Sequence, residues 1–511
     1  MTMDIAPSAQ PEGSDKSSHG AADTTVETVD VQAVNKTEHR SLYKSRVKIH
    51  PKRASGDFRR LKWIMMALTL SVYYGAPWLR WDRGPGAPDQ AILIDMPARR
   101  FYFFFIEIWP QEVYYLTGLL IIAAMMLFLM TSLAGRVWCG YSCPQTVWTD
   151  LFLVIERFVE GDRAARIRLD NAPMSFSKFQ KRFAKHVLWL LTGVLTGGAW
   201  VFYFADAPTL LVNLLTLDAP SIAYITIAVL ATTTYVFGGH AREQVCTYMC
   251  PWPRIQAAMV DEHSLMVTYR KLRGEPRAPY AKTANWDKRG HCIDCNNCVV
   301  VCPMGIDIRD GEQLECINCA LCIDACDDVM KRVGLPKGLI AYDTPANEAM
   351  RSKGLVPRLQ LIRPRTVIYA VIIAIVGVVM LATLVTRSDI GMNVLRDRNP
   401  LYVKLSDGDI RNRYTIKILN KKHETRSFAL SVDGLPDAIV SLAGGATGEK
   451  ASALTIRGDR LRSFRILVTA PPMSIKGAAT AITLRLTENN NVVVEESETT
   501  FRAPAPERST R

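Results

Sequence analysis

The chain has 511 residues and carries 62 Lys and Arg against 49 Asp and Glu, a formal net charge of +13. So basic a balance invites a nucleic-acid reading, but the basic residues gather in alternate loops between long apolar runs, which is the charge bias of an inner-membrane protein. All 12 cysteines fall between Cys139 and Cys326, so no disulfide framework runs through the chain.

Residues 1–39 are polar, acidic and rich in Ser and Thr, and lack the apolar core of a cleavable signal peptide. They read as a disordered cytoplasmic tail. Next comes a basic segment (Arg40, Lys44, Arg46, Lys48, Lys52, Arg53, Arg59, Arg60, Lys62), followed by a first apolar span expected at 62–82. Coming just before a span, these charges serve orientation rather than docking on a lipid surface. The 83–111 loop has only three basic residues and holds an aromatic run from Phe101 to Trp109, suited to a membrane interface. Glu107 is acidic within that apolar run and is a candidate for admitting metal.

Further spans are expected at 113–134, 186–205, 222–238 and 366–386. Each is about 20 residues, enough to cross a hydrocarbon core of ~30 Å as a helix. The intervening loops alternate in charge: nine Lys and Arg in 135–185, none in 206–221 and 18 in 239–365. Five crossings with the basic loops inside place the N-terminus and the 239–365 loop in the cytoplasm. The C-terminal part then lies in the periplasm of a Gram-negative cell.

Within that cytoplasmic loop the cysteines read Cys292-x2-Cys295-x2-Cys298-x3-Cys302-Pro303 and, 13 residues on, Cys316-x2-Cys319-x2-Cys322-x3-Cys326. Three thiolates two residues apart wrap one 4Fe–4S cubane, and the fourth ligates the partner cluster. The spacing therefore assigns Cys292, Cys295, Cys298 and Cys326 to one cluster and Cys302, Cys316, Cys319 and Cys322 to the other. Zinc uses four ligands in two pairs and has no need of an offset fourth cysteine, twice over.

The other four cysteines form a repeat. Spans two and four run out into Arg136-Val-Trp-Cys139-Gly-Tyr-Ser-Cys143-Pro144 and Arg242-Glu-Gln-Val-Cys246-Thr-Tyr-Met-Cys250-Pro251. Both are C-x3-C-P, so spans one–two and three–four look like two copies of one unit, with a site at their interface. On a helix, residues four apart have Cβ atoms about 5–6 Å apart. That is too far for an undistorted disulfide but suits two thiolates reaching one soft ion. Soft thiolates select Cu(I), zinc or iron–sulfur, and Cu(I) tolerates the low coordination number two thiolates offer. Arg136 and Arg242 are placed to help ionise the thiols. The competing reading is four free cysteines packed at helix ends.

Weaker candidates are His186 and His240 as haem ligands at span ends, and Met125, Met126 and Met130 as copper contacts; packing accounts for both sets. No G-x-G-x-x-G follows a strand, which argues against a built-in NAD(P)H site. The region 395–505 alternates apolar and polar residues in short runs, such as Tyr414–Ile418, Phe428–Val432, Phe464–Val468 and Ile482–Leu486. Seven or so strands separated by turn residues suggest an immunoglobulin-like β-sandwich.

The fold expected is thus a polytopic α-helical membrane protein with about five transmembrane helices, a cytoplasmic two-cluster ferredoxin module and a C-terminal all-β sandwich. Its parts are a tail (1–39), a four-helix membrane domain with both C-x3-C-P motifs (40–285), the ferredoxin module (286–335), a linker (336–365), a fifth span (366–386) and the sandwich (395–505). This order of parts, from about residue 40 to 505 and including every cysteine, resembles the CcoG (FixG/RdxA) family of cytochrome oxidase accessory proteins. The resemblance implies a cupric reductase that delivers Cu(I) during assembly of the cbb3-type oxidase, with oxidase subunits or assembly factors as partners. It also implies copper bound by Cys139, Cys143, Cys246 and Cys250. One departure is Asp327 after Cys326, where Pro303 follows Cys302. Two other readings stand beside it: a membrane ferredoxin relaying electrons between quinol and a periplasmic reductase, and a non-enzymatic assembly scaffold.

Overall fold

A computed structural model of the chain describes residues 48–84, 86–280, 289–443, 454–475, 477–488 and 492–504. The expected tail and the start of the basic segment lie outside the described residues. The chain divides into two compact units, one comprising Met1–Trp78, Leu93–Arg99 and Pro110–Val376, the other Leu79–Ile92, Arg100–Trp109 and Gly377–Arg511.

In the first unit and its link to the second, three helices are long and apolar enough to cross a membrane: Pro110–Ala134, Ser221–Ala241 and Pro364–Val385. These are the expected spans two, four and five. At spans one and three stand helices Asp57–Gly75 and Phe176–Val201. Both open on basic turns (Arg59, Arg60, Lys62; Lys178, Lys181, Arg182, Lys185), so only their C-terminal parts are apolar. The first helix stops at Gly75, short of the expected residue 82, and a 3₁₀ turn over Ala76–Trp78 follows. Pro77 there has no N–H to continue the helical ladder. Helices Phe176–Val201 and Ser221–Thr234 touch backbone to backbone. A Cβ added at Gly193 would meet Ala231 O at 2.8 Å, and one at Gly197 would meet Ile227 O at 2.8 Å. Small residues four apart permit that approach between apolar helices.

The basic 135–185 stretch, read from sequence as a loop, is largely helical, with Val137–Tyr141, Pro144–Glu160 and Arg163–Asn171. Its charges are buried in a network. Glu156 pairs with Arg166 and Arg242, and Glu160 pairs with Lys185 at 2.9 Å and Arg182 at 3.3 Å. Buried charges persist only when paired in this way.

Strands Met266–Tyr269 and Ile340–Asp343 pair antiparallel and bracket the ferredoxin cysteines in sequence. Helix Leu321–Arg332 faces the first helix end-on. Asp324 accepts the backbone N–H groups of Phe58 at 3.2 Å and Arg59 at 2.7 Å, satisfying first-turn donors that Gly56 has no side chain to cap.

The second unit is a two-sheet β-sandwich with nine strands among the described residues. One sheet runs Ile439–Leu442, Arg460–Ala470, Ile410–Asn420, Ile390–Arg396, with Val403–Lys404 also on Ile410–Asn420; the other runs Leu454–Ile456, Arg426–Asp433, Ala479–Glu488, Val492–Arg502. Period-two burial builds the core: Tyr414, Ile416, Ile466, Val468, Leu484 and Leu486 are fully buried between outward polar residues. The aromatic run before span two also folds with this unit, as a hairpin pairing Phe101 with Ile108, Tyr102 with Glu107 and Phe103 with Ile106.

Candidate iron–sulfur and thiol site

The two ferredoxin runs adopt the same backbone. Asp294 and Asn296 after Cys292 have φ of 50° and 55°; Asn318 and Ala320 after Cys316 have 52° and 58°. Left-handed residues are costly outside glycine, and their recurrence at equivalent positions curls both cysteine loops inward alike. Such turns aim successive backbone N–H groups into one concavity, a cradle for an anionic group.

Two cavities result. One is lined by Cys292, Cys295, Cys298 and Cys326 with Arg309 and Tyr269. The other is lined by Cys302, Cys316, Cys319 and Cys322 together with Cys298. Each thus gathers three cysteines of one run and the fourth of the other, around a void with apolar walls. That donor set and that enclosure fit a cubane cluster. Burial raises the Cys302 thiol to about 12 and the Cys316 thiol to about 11.

Arg309 was not singled out by the sequence pattern. Its guanidinium binds Asp307, Asp294 Oδ1 at 2.5 Å and Asn296 Oδ1 at 2.7 Å, pinning the first left-handed loop and setting a buried cation at the first cavity. The Asp307-x-Arg309 pair inside an apolar stretch was its only signal.

The C-x3-C-P motifs also share one backbone. Cys143 N–H bonds to Trp138 O at 2.9 Å and Cys250 N–H to Val245 O at 2.8 Å, each a wide i→i+5 turn closing on the residue before the first cysteine. The second cysteine is extended in both (φ −60°, ψ 129° and φ −79°, ψ 122°); Pro144 starts the next helix, and Pro251 is the N-cap of helix Trp252–Met259. Wide turns of this kind are uncommon and often functional. At the second motif the wide turn replaces the regular helix assumed from the spacing, and at the first it ends the short helix Val137–Tyr141.

The four thiols lie close enough to oppose one another's ionisation: Cys139 feels Cys143 and Cys250, and Cys246 feels the other three. Burial is the larger cause and pushes Cys139 and Cys246 up to about 12. Arg136 lowers Cys139 without offsetting this, because its guanidinium also clamps backbone, reaching Leu314 O, Cys316 O at 3.3 Å and Pro253 O at 2.8 Å. Arg242 does not act on the thiols as expected; it is spent on Glu156 and Gly239 O.

The thiol site adjoins the second cavity. Cys139 and Cys246 pack in one apolar cluster with Cys302, Cys316, Cys319 and Cys322. Between Cys139 and Cys143, Gly140 lies so close that an added Cβ would stand 2.6 Å from Ile317 O and 3.0 Å from Cys319 Cα. His186 and His240 instead form a ring cluster with Tyr235 and Trp189, with His186 Nδ1 2.9 Å from the Tyr235 hydroxyl.

Comparison with known proteins bears on these features. Family models match residues 241–345 as a 4Fe-4S dicluster domain, 116–159 as a 4Fe-4S binding domain and 380–504 as an IG-like fold at the C-terminus of FixG. "Nitrogen fixation protein FixG" of Rhizobium meliloti is 53% identical over 88% of this chain and 91% of its own. The chain belongs to the FixG/RdxA (CcoG) family. Proteins RdxB and RdxA of Cereibacter sphaeroides are 54% and 52% identical, over 88% and 87% of this chain and 94% of each relative. As a FixG-type protein it is an iron–sulfur redox protein with apolar helices for membrane association and an immunoglobulin-like C-terminal domain.

Proposed function

We propose that this chain is a membrane-bound cupric reductase that supplies Cu(I) for assembly of a cbb3-type oxidase. One observation carries the reading: Cys139 and Cys246 share an apolar cluster with the cysteines of the second cavity, so a metal-binding thiol site abuts an iron–sulfur site. The ligand sets are Cys292, Cys295, Cys298 and Cys326 for one cluster, and Cys302, Cys316, Cys319 and Cys322 for the other. Held there, two 4Fe–4S clusters supply one-electron reducing equivalents. Cys139, Cys143, Cys246 and Cys250 take up the copper substrate, and their soft sulfurs favour the reduced ion. Gln256 and Arg136 hold the Cys139 turn in place, and the apolar surroundings limit water at the thiols.

The site faces the cytoplasm of the bacterial inner membrane in a five-crossing topology, with the sandwich in the periplasm. Charge bias assigns the 83–111 loop and the C-terminal region to the same side, and the second compact unit is built from segments of those two stretches, which supports that topology.

The deciding experiment measures Cu(II) reduction by purified, cluster-replete protein and by variants with Cys139, Cys143, Cys246 and Cys250 changed to Ser. Loss of copper reduction with both clusters retained supports the reading. Unchanged activity and copper content would sink it.

A further inference from the structure

Away from every cysteine, within the second unit, three side chains from distant parts of the chain meet. Glu107 comes from the hairpin, His423 from the turn between strands Ile410–Asn420 and Arg426–Asp433, and Asp459 from the turn before Arg460–Ala470. One potential ligand atom from each lies within 4.8 Å of the others.

The two sandwich turns are rigid independently of these side chains. A Cβ on Gly458 would stand 2.2 Å from His423 O, so only glycine allows the turns to touch there. Asp459 N–H bonds to Lys422 O at 3.0 Å, and Asn420 Nδ2 donates to Glu424 O at 2.8 Å. Asp459 itself sits at φ 55°, a left-handed conformation held by these contacts. On the hairpin side, Arg387 donates to Glu107 O at 2.6 Å.

Within this frame the polar atoms are arranged asymmetrically. His423 Nδ1 is 2.5 Å from Asp459 Oδ2, while Nε2 faces Glu107 Oε2 at 3.9 Å, too far for a hydrogen bond. With Asp459 accepting from Nδ1–H, Nε2 presents a lone pair towards a carboxylate oxygen. Two electron-pair donors thus face each other across a gap that bonds of about 2.0–2.2 Å to one ion would span. The carboxylate–imidazole pair behind Nε2 is the usual support for a metal-bound histidine.

Charged neighbours frame the gap. Arg100 pairs with Glu107 Oε1 at 2.9 Å and stands 3.5 Å from Asp459 Oδ1, held over the Trp109 ring at 3.8 Å. Arg100 is the guanidinium paired with these two carboxylates, Arg387 is turned to the Glu107 carbonyl, and Glu107 Oε2 is the oxygen left facing His423. Asp459 Oδ1 is buried with no hydrogen-bond partner.

We propose that Glu107, His423 and Asp459 form a binding site for a first-row divalent transition cation, with Glu107 Oε2 and His423 Nε2 as ligands and Asp459 orienting the imidazole and adding charge. Imidazole and carboxylate without sulfur suit Zn²⁺, Co²⁺ or Cu²⁺ rather than Cu(I). The site is independent of the copper-reducing thiols proposed above.

The test titrates purified full-length protein anaerobically with Co²⁺, whose optical spectrum separates nitrogen and oxygen ligation from the strong charge-transfer absorption of thiolates. The unmodified chain should bind one equivalent with nitrogen/oxygen character. His423→Ala and Glu107→Gln should each weaken that equivalent at least about 10-fold while leaving any thiolate-bound cobalt and the circular dichroism unchanged. A folded His423→Ala protein that keeps the equivalent would overturn the site. So would an unmodified chain whose bound cobalt is all thiolate-ligated, an outcome that does not depend on any variant folding.

Discussion

Cys139 donates its thiol hydrogen bond to Gln256 Oε1 at 3.2 Å, joining the first C-x3-C-P motif to the helix that follows the second. Gln256 is fully buried and its Nε2 continues to Thr131 Oγ1 at 3.2 Å, on the span that leads into Cys139. The side chain therefore ties both halves of the repeat together beside the thiols. Groups that orient a metal ligand are typically worth about 10- to 100-fold in affinity. Gln256→Ala should weaken Cu(I) binding by about that factor while iron content is unchanged, as read by competition against a Cu(I) chelator. Affinity equal to the parent protein would remove Gln256 from the site.

Gly140 sets the approach between the thiol motif and the second cysteine loop. Its neighbours Ile317 O and Cys319 Cα are backbone atoms, so an added methyl cannot be absorbed by a flexible side chain. Forcing bulk into such a contact costs about 1–3 kcal/mol. Gly140→Ala should slow Cu(II) reduction, because the thiols are pushed away from the second cavity, and should lower the thermal midpoint of detergent-purified protein. Gly198→Ala, where an added Cβ meets nothing within 4 Å, is the matched control and should do neither.

Burial, not charge, governs the C-x3-C-P thiols. Cys139 and Cys246 are pushed up to about 12, so both are protonated across the neutral range and a metal that binds them must displace two protons. Apparent Cu(I) affinity should therefore rise with pH, by up to about 100-fold per unit between pH 6 and 8. Competition titrations at fixed free copper test this, and a flat profile would mean that the thiols are already ionised.

Chemistry was legible in the sequence where spacing alone carries it. The offsets of Cys302 and Cys326 predict a crosswise sharing of cysteines, and each cavity is lined by cysteines of both runs, Cys298 lining both. The sandwich was legible because its strands keep period two through Tyr414, Ile416 and Ile418. Helices Pro144–Glu160 and Arg163–Asn171 were hidden, since their inward residues include Asp150, Glu156, Glu160 and Arg166, charges that look exposed until their partners are known. Proximity in sequence also misled at Arg242, whose partner Glu156 lies 86 residues away. The Glu107–His423–Asp459 grouping was invisible for the same reason, because it draws on three separated turns and strands.

Asp324 offers a test of how helix Leu321–Arg332 supports helix Asp57–Gly75. It lies between the cluster cysteines Cys322 and Cys326, and its carboxylate takes the amides of Phe58 and Arg59, which no residue of their own helix caps. Gly56 makes room for it, as a Cβ there would overlap Asp324 Cγ at 2.3 Å. Loss of a capping side chain typically costs about 0.5–2 kcal/mol, with the larger values where the amides are buried away from water. Asp324→Ala should therefore lower the thermal midpoint and leave the absorption of the iron–sulfur clusters per folded chain intact. Asp324→Asn keeps one of the two acceptor oxygens and sets an NH2 donor against the other backbone N–H, so it should recover only part of the loss. An Asp324→Ala protein as stable as the parent would mean that this carboxylate does not cap the helix.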